Sequence, residues 1–479
     1  MTSESQEGVR VRETGESIGR VLVLDDDPTI LRLLSRYLRS PSIDLVICQE
    51  IEAAEYLIHR ESFDVLVTDL EVSDLGGLEG MRLVRHVAVH FPDTQVVVFS
   101  GKLDDGVRRL GAALGAHELL AKPKDLNRLR ELVLSHLGAP EDSAESTSGQ
   151  VSRVETIDEV LERRCISAML QPIMALEPNG PEPKPFAVEG LARGPEGSPL
   201  RNPEMLLGYA SRKERLVEVE LLCIEAVLQE ACKVEGVGKL FINTHPRTVS
   251  SPQFAPAMME LIKRYGFREE NIVLELTEQQ SILNPQGLNS ALRGLRECGF
   301  GCALDDYGSG FANLHLVQDI ELDYIKIDGF FCRELDLDQK KQAIVRSTVE
   351  MAQQLGVDTI LERVETLNEF ETARQLGLDY LQGYYFSAPV PGSELGNLFA
   401  GETWRPAVST PPPEPAAPPA VPPAASAHHE LSNVLTAAVL FASEGCRRVE
   451  PDNPLYEDLR QIRGACEQAI TLVEKIRQA

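Results

Sequence analysis

Hydrophobic positions along the chain follow two rhythms in succession, interrupted by polar stretches. From residue 19 to 138, short β-branched runs alternate with stretches whose apolar residues recur every three or four positions. The order is RVLVLDD then ILRLLSRYL, FDVLVTDL then GMRLVRHVAVH, TQVVVFSG then a short helix, and finally HELLAKP. That alternation predicts βαβ units around a parallel sheet, with ligands bound beyond the carboxyl ends of the strands. From 155 to 402 a strand-then-helix rhythm continues through SAMLQPIM, FAVEGLAR, KLFINTH, NIVLELTE, FGCALDDYG, YIKIDG, DTILERVE and YLQGYYF. Eight strands in about 250 residues is the size of an eight-stranded α/β barrel. Only ALEPNGPEPKP separates the first two strands, which is too short and proline-rich for a crossover helix, so these two are expected to pair antiparallel.

Two polar stretches read as linkers, residues 139–154 and the proline tract 405–426. The second is expected to be an extended, semi-rigid spacer of about 3 Å per residue. Beyond it, residues 427–479 offer two amphipathic helical stretches joined at PDNP. Leu431, Val434, Leu435 and Ala438 form one stripe, and Leu455, Leu459, Ile462, Ala469 and Leu472 the other. A lone hairpin buries little surface, so pairing into a four-helix bundle is expected.

Composition narrows the possible partners. A formal charge of −27 and an isoelectric point near 4.8 argue against binding nucleic-acid phosphates or an anionic membrane. An anionic small molecule would need local cations. No apolar run approaches the roughly 18 residues that span a bilayer. The start, MTSESQEGVRVRETGES, has no apolar export core, and the nine cysteines include no C-x-x-C pair. Reduced thiols and a cytoplasmic location are the expectation.

The candidate chemistry lies at strand ends. In the first module these are Asp25, Asp26, Asp69, Ser100 and Lys122. Three gathered carboxylates repel by roughly 1–4 kcal/mol per pair unless a divalent cation sits among them, which implies Mg²⁺. An aspartate beside Mg²⁺ can accept a phosphoryl group, with lysine and serine holding its oxygens. These motifs, LDDDP, TDL, FSG and AKP, resemble response-regulator receiver domains of flavodoxin-like (βα)5 fold. The resemblance makes Asp69 the phosphoacceptor, supported by Ser100 and Lys122, and implies a cognate sensor histidine kinase. Ser73 and Leu119 depart from that family, standing where it usually carries a proline and often an aromatic switch residue.

In the barrel, strand alternation puts Glu189, Leu191 and Arg193 on one face of FAVEGLAR, and Lys326 and Asp328 on one face of YIKIDG. Charges inside a barrel are costly unless compensated, so they read as site residues. Glu189, Asn243, Glu275, Asp305, Asp306, Lys326, Glu362 and Gln382 form the candidate set. An oxygen-rich set favours Mg²⁺ or Mn²⁺, and two such ions about 3.5–4 Å apart would suit hydrolysis of a phosphate ester by in-line attack. Lys326 would orient water or offset charge, and Glu362 is a candidate general base.

At these residues the module resembles EAL-type cyclic di-GMP phosphodiesterases. The resemblance rests on Glu189-Gly190-Leu191 with Arg193, Gln171-Pro172-Ile173, FINTHP, ELTE, DDYGSG, KID, ERVET and QGY. It implies a modified (β/α)8 TIM barrel with one antiparallel strand, cleavage of cyclic di-GMP to pGpG, and Mg²⁺ or Mn²⁺ as cofactor. Glu189, Asn243, Glu275, Asp305, Asp306 and Glu362 would be metal ligands, and Gln171, Arg193 and Gln382 substrate contacts. Lys326, Glu362 and Glu189 would be catalytic, and Glu278 would steady the DDYGSG loop that links metal occupancy to barrel dimerisation. Gly190 replaces the family's alanine, a change expected to move no ligand. Arg363 replaces a glycine beside Glu362, and a salt bridge between the two would lower the pKa of the carboxyl. His429-Glu430-Leu431 resembles the phosphoacceptor helix of histidine kinases, which makes His429 a possible phosphoacceptor and the hairpin a second homodimer contact.

The chain as a whole thus reads as an α/β multidomain protein. The leading function is a phosphorylation-controlled cyclic di-GMP hydrolase, with a non-hydrolysing cyclic di-GMP sensor and a phosphorelay scaffold as alternatives.

Overall fold

A computed structural model describes residues 19–70, 72, 79–138, 149–176, 182–277, 285–308 and 320–399. Ser73, Glu278, linker residues 139–148, the proline tract 405–426 and the hairpin 427–479 with His429 lie outside the described residues.

The first module is a parallel sheet flanked by helices. Its strands are β1 (Gly19–Leu24), β2 (Ile43–Cys48), β3 (Val65–Thr68), β4 (Gln95–Ser100) and β5 (Glu118–Ala121). They are interleaved with α1 (Pro28–Tyr37), α2 (Ile51–Arg60), α3 (Glu79–His90), α4 (Asp105–Ala113) and α5 (Leu126–His136). The strand order is β5-β4-β3-β1-β2-β6, where β6 (Gln150–Arg153) belongs to the stretch expected to be a linker. Residues 44–47 pair in parallel with 150–153, and the Val154 N–H donates to the Ile47 carbonyl at 2.9 Å. The short polar segment QVSR has no strand pattern of its own. It becomes a strand because β2 otherwise leaves an edge of unpaired backbone groups.

Next come α6 (Ile157–Arg163), opened by a Thr156/Glu159 capping box, and a closed barrel. The barrel strands are β7 (Ser167–Ala175), β8 (Lys184–Arg193), β9 (Lys239–Thr244), β10 (Ile272–Thr277), β11 (Gly301–Tyr307), β12 (Tyr324–Ile327), β13 (Asp358–Leu361) and β14 (Tyr380–Leu381). Strand β7 pairs antiparallel with both β8 and β14, so it is the one reversed strand anticipated from the short proline-rich connection. Between strands run α7 (Pro203–Arg212), α8 (Leu216–Ala231), α9 (Pro246–Val249), α10 (Phe254–Arg264) and α11 (Pro285–Glu297), and later helices complete the outer ring. Among the described residues no helix is long and apolar enough to cross a membrane, and the cysteines are all free.

One apolar core runs continuously from the first module into the barrel. It joins Ala53, Leu57 and Ile58 of α2 to Ile157 and Val160 of α6, and to Leu206, Tyr209 and Ala210 of α7. Leu206 is fully buried there. Leu206→Ala should therefore lower stability by about 2–5 kcal/mol, because a cavity would open where the two modules share packing. Urea denaturation followed by circular dichroism checks this, and an unchanged midpoint would count against a shared core.

Candidate active site

Alternation along the barrel strands builds two interior layers. The lower layer is apolar: Ile173, Ala187, Phe241, Val273, Ala303, Tyr324 and Ile360, with Phe186 and Tyr380 against them. Two residues further on, each strand carries its next inward side chain. The steps are Ala187 to Glu189, Phe241 to Asn243, Val273 to Glu275, Ala303 to Asp305, Tyr324 to Lys326, Ile360 to Glu362 and Tyr380 to Gln382. On reversed β7 the step runs backward, from Ile173 to Gln171, which lies opposite Glu189 in register. The apolar layer closes the barrel beneath a polar one.

Lys326 stands at the centre of the upper layer, fully buried. Its Nζ lies 2.7 Å from Glu362 Oε1, 2.8 Å from Glu275 Oε1, 3.0 Å from Asp305 Oδ1 and 3.2 Å from Glu189 Oε2. Asn243 Nδ2 donates to Glu189 Oε1 at 2.8 Å, and Gln382 Nε2 donates to Glu189 Oε2 at 2.7 Å and to Gln171 Oε1 at 3.0 Å. Burial opposes the charge on Lys326, but Asp305, Glu189, Glu275 and Glu362 outweigh it and hold the ammonium well above its usual pKa. Glu189 is desolvated too, yet Lys326, Gln382 and Asn243 keep its carboxyl below the usual range.

Glu275, Glu362 and Asp306 are held in the opposite direction. Burial and then the charge of Glu189 raise Glu275 well above the ordinary range. Burial pushes Glu362 up to about 8 despite Lys326, and burial with Asp305 and Asp328 beside it pushes Asp306 up to about 6. Glu275 Oε2 and Gln382 Oε1 are buried with no hydrogen-bond donor. One ammonium thus faces four carboxylates, and the excess negative charge and orphaned oxygens mark a seat for cations.

A register irregularity between Leu304 and Tyr307 brings two consecutive acids to this seat. Asp306 adopts a left-handed backbone (φ 54°), and Asp305, Asp306 and Glu362 offer oxygens within 4.8 Å of one another. Asp328, just beyond β12 and capping the next helix, hydrogen-bonds Asp306, a role not assigned to it from sequence. Buried Glu369 was also missed. It accepts the backbone N–H groups of Glu365 and Thr366, both at 3.0 Å, and so braces the turn after Glu362. Its signal was present as the T-x-x-E capping box at Thr366.

One expectation is overturned. Arg363 makes no ion pair with Glu362, which bonds Lys326 instead. A left-handed backbone at Arg363 (φ 54°) lays its side chain against Gly329, where an added Cβ would fall 2.3 Å from the arginine Cδ. At Gly190, where no ligand was expected to move, a Cβ would meet Val227 Cγ1 at 2.1 Å, so the glycine fits the close packing of α8 on β8.

A cavity of about 370 Å³ opens beside the layer, lined by Glu189, Arg193, Asn243, Asp305 and Asp306 on one side and by Pro203, Glu204 and Leu207 of α7 on another. Arg193 is half-buried, which lowers its pKa, and is held by the Ala192 carbonyl at 2.9 Å. A larger, more open cleft of about 570 Å³ between α6, α8 and α10 lacks this chemistry, its acids being partnered by Arg164, Arg215 and Arg264.

In the first module the acids also converge. Asp25, Asp26 and Asp69 offer oxygens within 4.8 Å of one another. Lys122 pairs with both Asp25 and Asp69, and Ser100 is buried at the end of β4. Burial raises the Asp25 carboxyl to about 6 against the pull of Lys122.

A doubly wound parallel sheet with an acidic pocket, joined to a barrel whose apolar floor carries a ring of carboxylates above it, defines a two-module α/β architecture. Family comparison gives the particular case: residues 21–134 match the response regulator receiver domain and residues 154–389 match the EAL domain, so the chain is a receiver–EAL fusion. It is 27% identical over 61% of its length to a probable cyclic di-GMP phosphodiesterase, PdeA, of Escherichia coli, of which it covers 39%. It is 26% identical over 80% of its length to the cyclic di-GMP phosphodiesterase RocR of Pseudomonas aeruginosa, of which it covers 98%. A solved Klebsiella pneumoniae structure, BlrP1 with manganese and cyclic di-GMP, is 29% identical, with 48% of this chain and 57% of that one covered and a TM-score of 0.43.

Lys326→Met should cost about 3–5 kcal/mol, since it strands buried carboxylates without their cation. The penalty should be larger at pH 8 than at pH 5.5, where Glu362 and Asp306 hold protons. Guanidinium denaturation at the two pH values decides, and equal penalties would contradict this electrostatic account.

Proposed function

We propose that the chain is a two-component response regulator whose barrel hydrolyses cyclic di-GMP to pGpG, under control of phosphorylation at Asp69. One observation carries the reading: a buried ring of carboxylates with too few positive charges, beside a cavity that holds Arg193. The match to RocR along nearly that protein's whole length supports the same combination of modules.

In this reading Glu189, Asn243, Glu275, Asp305, Asp306 and Glu362 hold Mg²⁺ or Mn²⁺. Bound cations supply charge neutralisation of the phosphodiester and acidification of the attacking water. Gln171, Arg193 and Gln382 hold the dinucleotide. Arg193 suits a phosphate because its planar donors are not consumed by a carboxylate partner. Glu362, poised near neutral pH, takes the proton of the attacking water, and Lys326 offsets charge as it develops. The water oxygen bonds to phosphorus in line with the departing 3′ oxygen, which leaves as a hydroxyl once protonated. The products are a 5′ phosphate and a free 3′ end.

Asp69 receives its phosphoryl group from a donor such as a cognate sensor histidine kinase, with Mg²⁺ held by Asp25, Asp26 and Asp69. Ser100 and Lys122 hold the phosphoryl oxygens. Homodimer formation through the barrel belongs to the same reading.

Incubating the full chain with cyclic di-GMP and Mg²⁺ or Mn²⁺, then separating nucleotides, tests the proposal. pGpG is expected. Saturable binding without product would identify a sensor instead, and neither outcome would point to a phosphorelay scaffold. Glu362→Gln should lower kcat by about 10²–10⁴.

Cation uptake should also depend on pH with a definite sign. Protons on Glu362 and Asp306 must leave before a cation enters, so affinity should rise between about pH 6 and 8. Calorimetry in two buffers of different ionisation enthalpy should show proton release on binding.

A further inference from the structure

Helix α7 touches the cavity with one side and the receiver with the other. Pro203, Glu204 and Leu207 line the cavity. From α2 of the receiver, the Tyr56 hydroxyl donates to the Glu204 carbonyl at 3.1 Å, and Arg60 pairs with the Glu204 carboxylate at 2.5 Å. Gly208 allows this approach, because a Cβ there would lie 2.0 Å from the Tyr56 phenol oxygen. One turn on, the buried Tyr209 hydroxyl donates to Glu50, the residue that begins α2, and Lys213 pairs with the same carboxylate at 3.3 Å. The preceding residue, Gln49, donates to the Asp26 carbonyl at 3.4 Å, at the edge of the phosphoacceptor pocket.

We infer that the receiver forms the outer support of the barrel's substrate cavity. Glu50 and Tyr56 act as positioning residues that set where α7 holds Glu204 and Leu207 against the bound dinucleotide. The inference deepens the proposed function and rests on the cavity being the cyclic di-GMP site.

A helix moves as a unit because its turns are hydrogen-bonded to one another, so a shift at Tyr209 is passed to Leu207 and Glu204. The Arg60–Glu204 pair is solvent-exposed and contributes little by itself. The weight falls on the two tyrosine hydroxyls and the apolar packing around them. The carboxylates around Lys326 are carried by strand ends instead of α7, so the receiver contact bears on substrate affinity and leaves the bond-breaking groups in place. The chain Asp26, Gln49, Glu50, Tyr209 then gives the state of Asp69 a physical route to the cavity wall.

Steady-state kinetics of the full chain decide the matter, comparing the parent protein with Tyr56→Phe, Tyr209→Phe and the double variant. Each phenylalanine keeps the ring packing and removes one hydroxyl. The double variant should raise KM for cyclic di-GMP about fivefold or more, with kcat within about twofold, from the loss of two hydrogen bonds. Arg60→Lys should leave both parameters close to those of the parent. Beryllofluoride, which mimics phosphate on Asp69, should shift KM in the parent and not in the double variant.

A double variant with the parent's KM and the parent's beryllofluoride response would overturn the inference. If no form yields pGpG, hydrolysis is excluded, and the dissociation constant for cyclic di-GMP measured by calorimetry takes the place of KM. An unchanged constant in the double variant then overturns the positioning role separately.

Discussion

Everything in the barrel turns on the charge imbalance around Lys326. A single buried ammonium faces Glu189, Glu275, Asp305 and Glu362 at ion-pair distances. In a poorly solvated interior such an arrangement is tolerated only if some acids keep their protons or if additional cations enter. Both responses are written into the same residues. Glu189 is held ionised by its amide and lysine partners, while Glu275 and Glu362 are pushed toward the neutral form. The layer is therefore poised to exchange protons for metal, which is what a site that must activate water near neutral pH requires.

That layer exists because of what lies under it. Phe241, Tyr324, Ile360 and their neighbours fill the barrel two residues below the charged ring and deny it water from beneath. The irregularity before Tyr307 then turns two successive aspartates to one face, which a regular strand would not allow. Braces outside the ring complete the geometry. Glu369 ties down the turn after Glu362, and Val227 packs so closely on Gly190 that the strand carrying Glu189 has no room for a side chain there.

The receiver is attached to the barrel by more than a connecting segment. The segment expected to be a linker is partly consumed as β6, which extends the receiver sheet, and the chain then passes through α6 into a core common to both modules. The two modules are joined through packing and fixed hydrogen bonds as well as through the chain between them. The contact with the barrel is made through α2, far along the sheet from β5, where Leu119 stands in place of an aromatic.

Much of this was legible in residue order alone. Period-two alternation located Glu189 and Lys326 as inward charges, and the short proline-rich connection after β7 foretold its reversal. These features are local, fixed by strand geometry and by what proline forbids. What the chain could not reveal were contacts between residues distant in sequence. QVSR is a strand only because β2 offers an open edge, Gly190 is constrained only because Val227 lies over it, and Arg363 turns away from Glu362 because its backbone is left-handed and Lys326 already holds that carboxylate. Sequence by itself determined the fold class, the reversed strand and the residues of the charged ring, since periodicity and turn chemistry act within a few positions. Tertiary structure decided which charges remain ionised, which glycines are tightly enclosed and how the receiver meets the cavity, since burial and pairing arise only when distant segments come together.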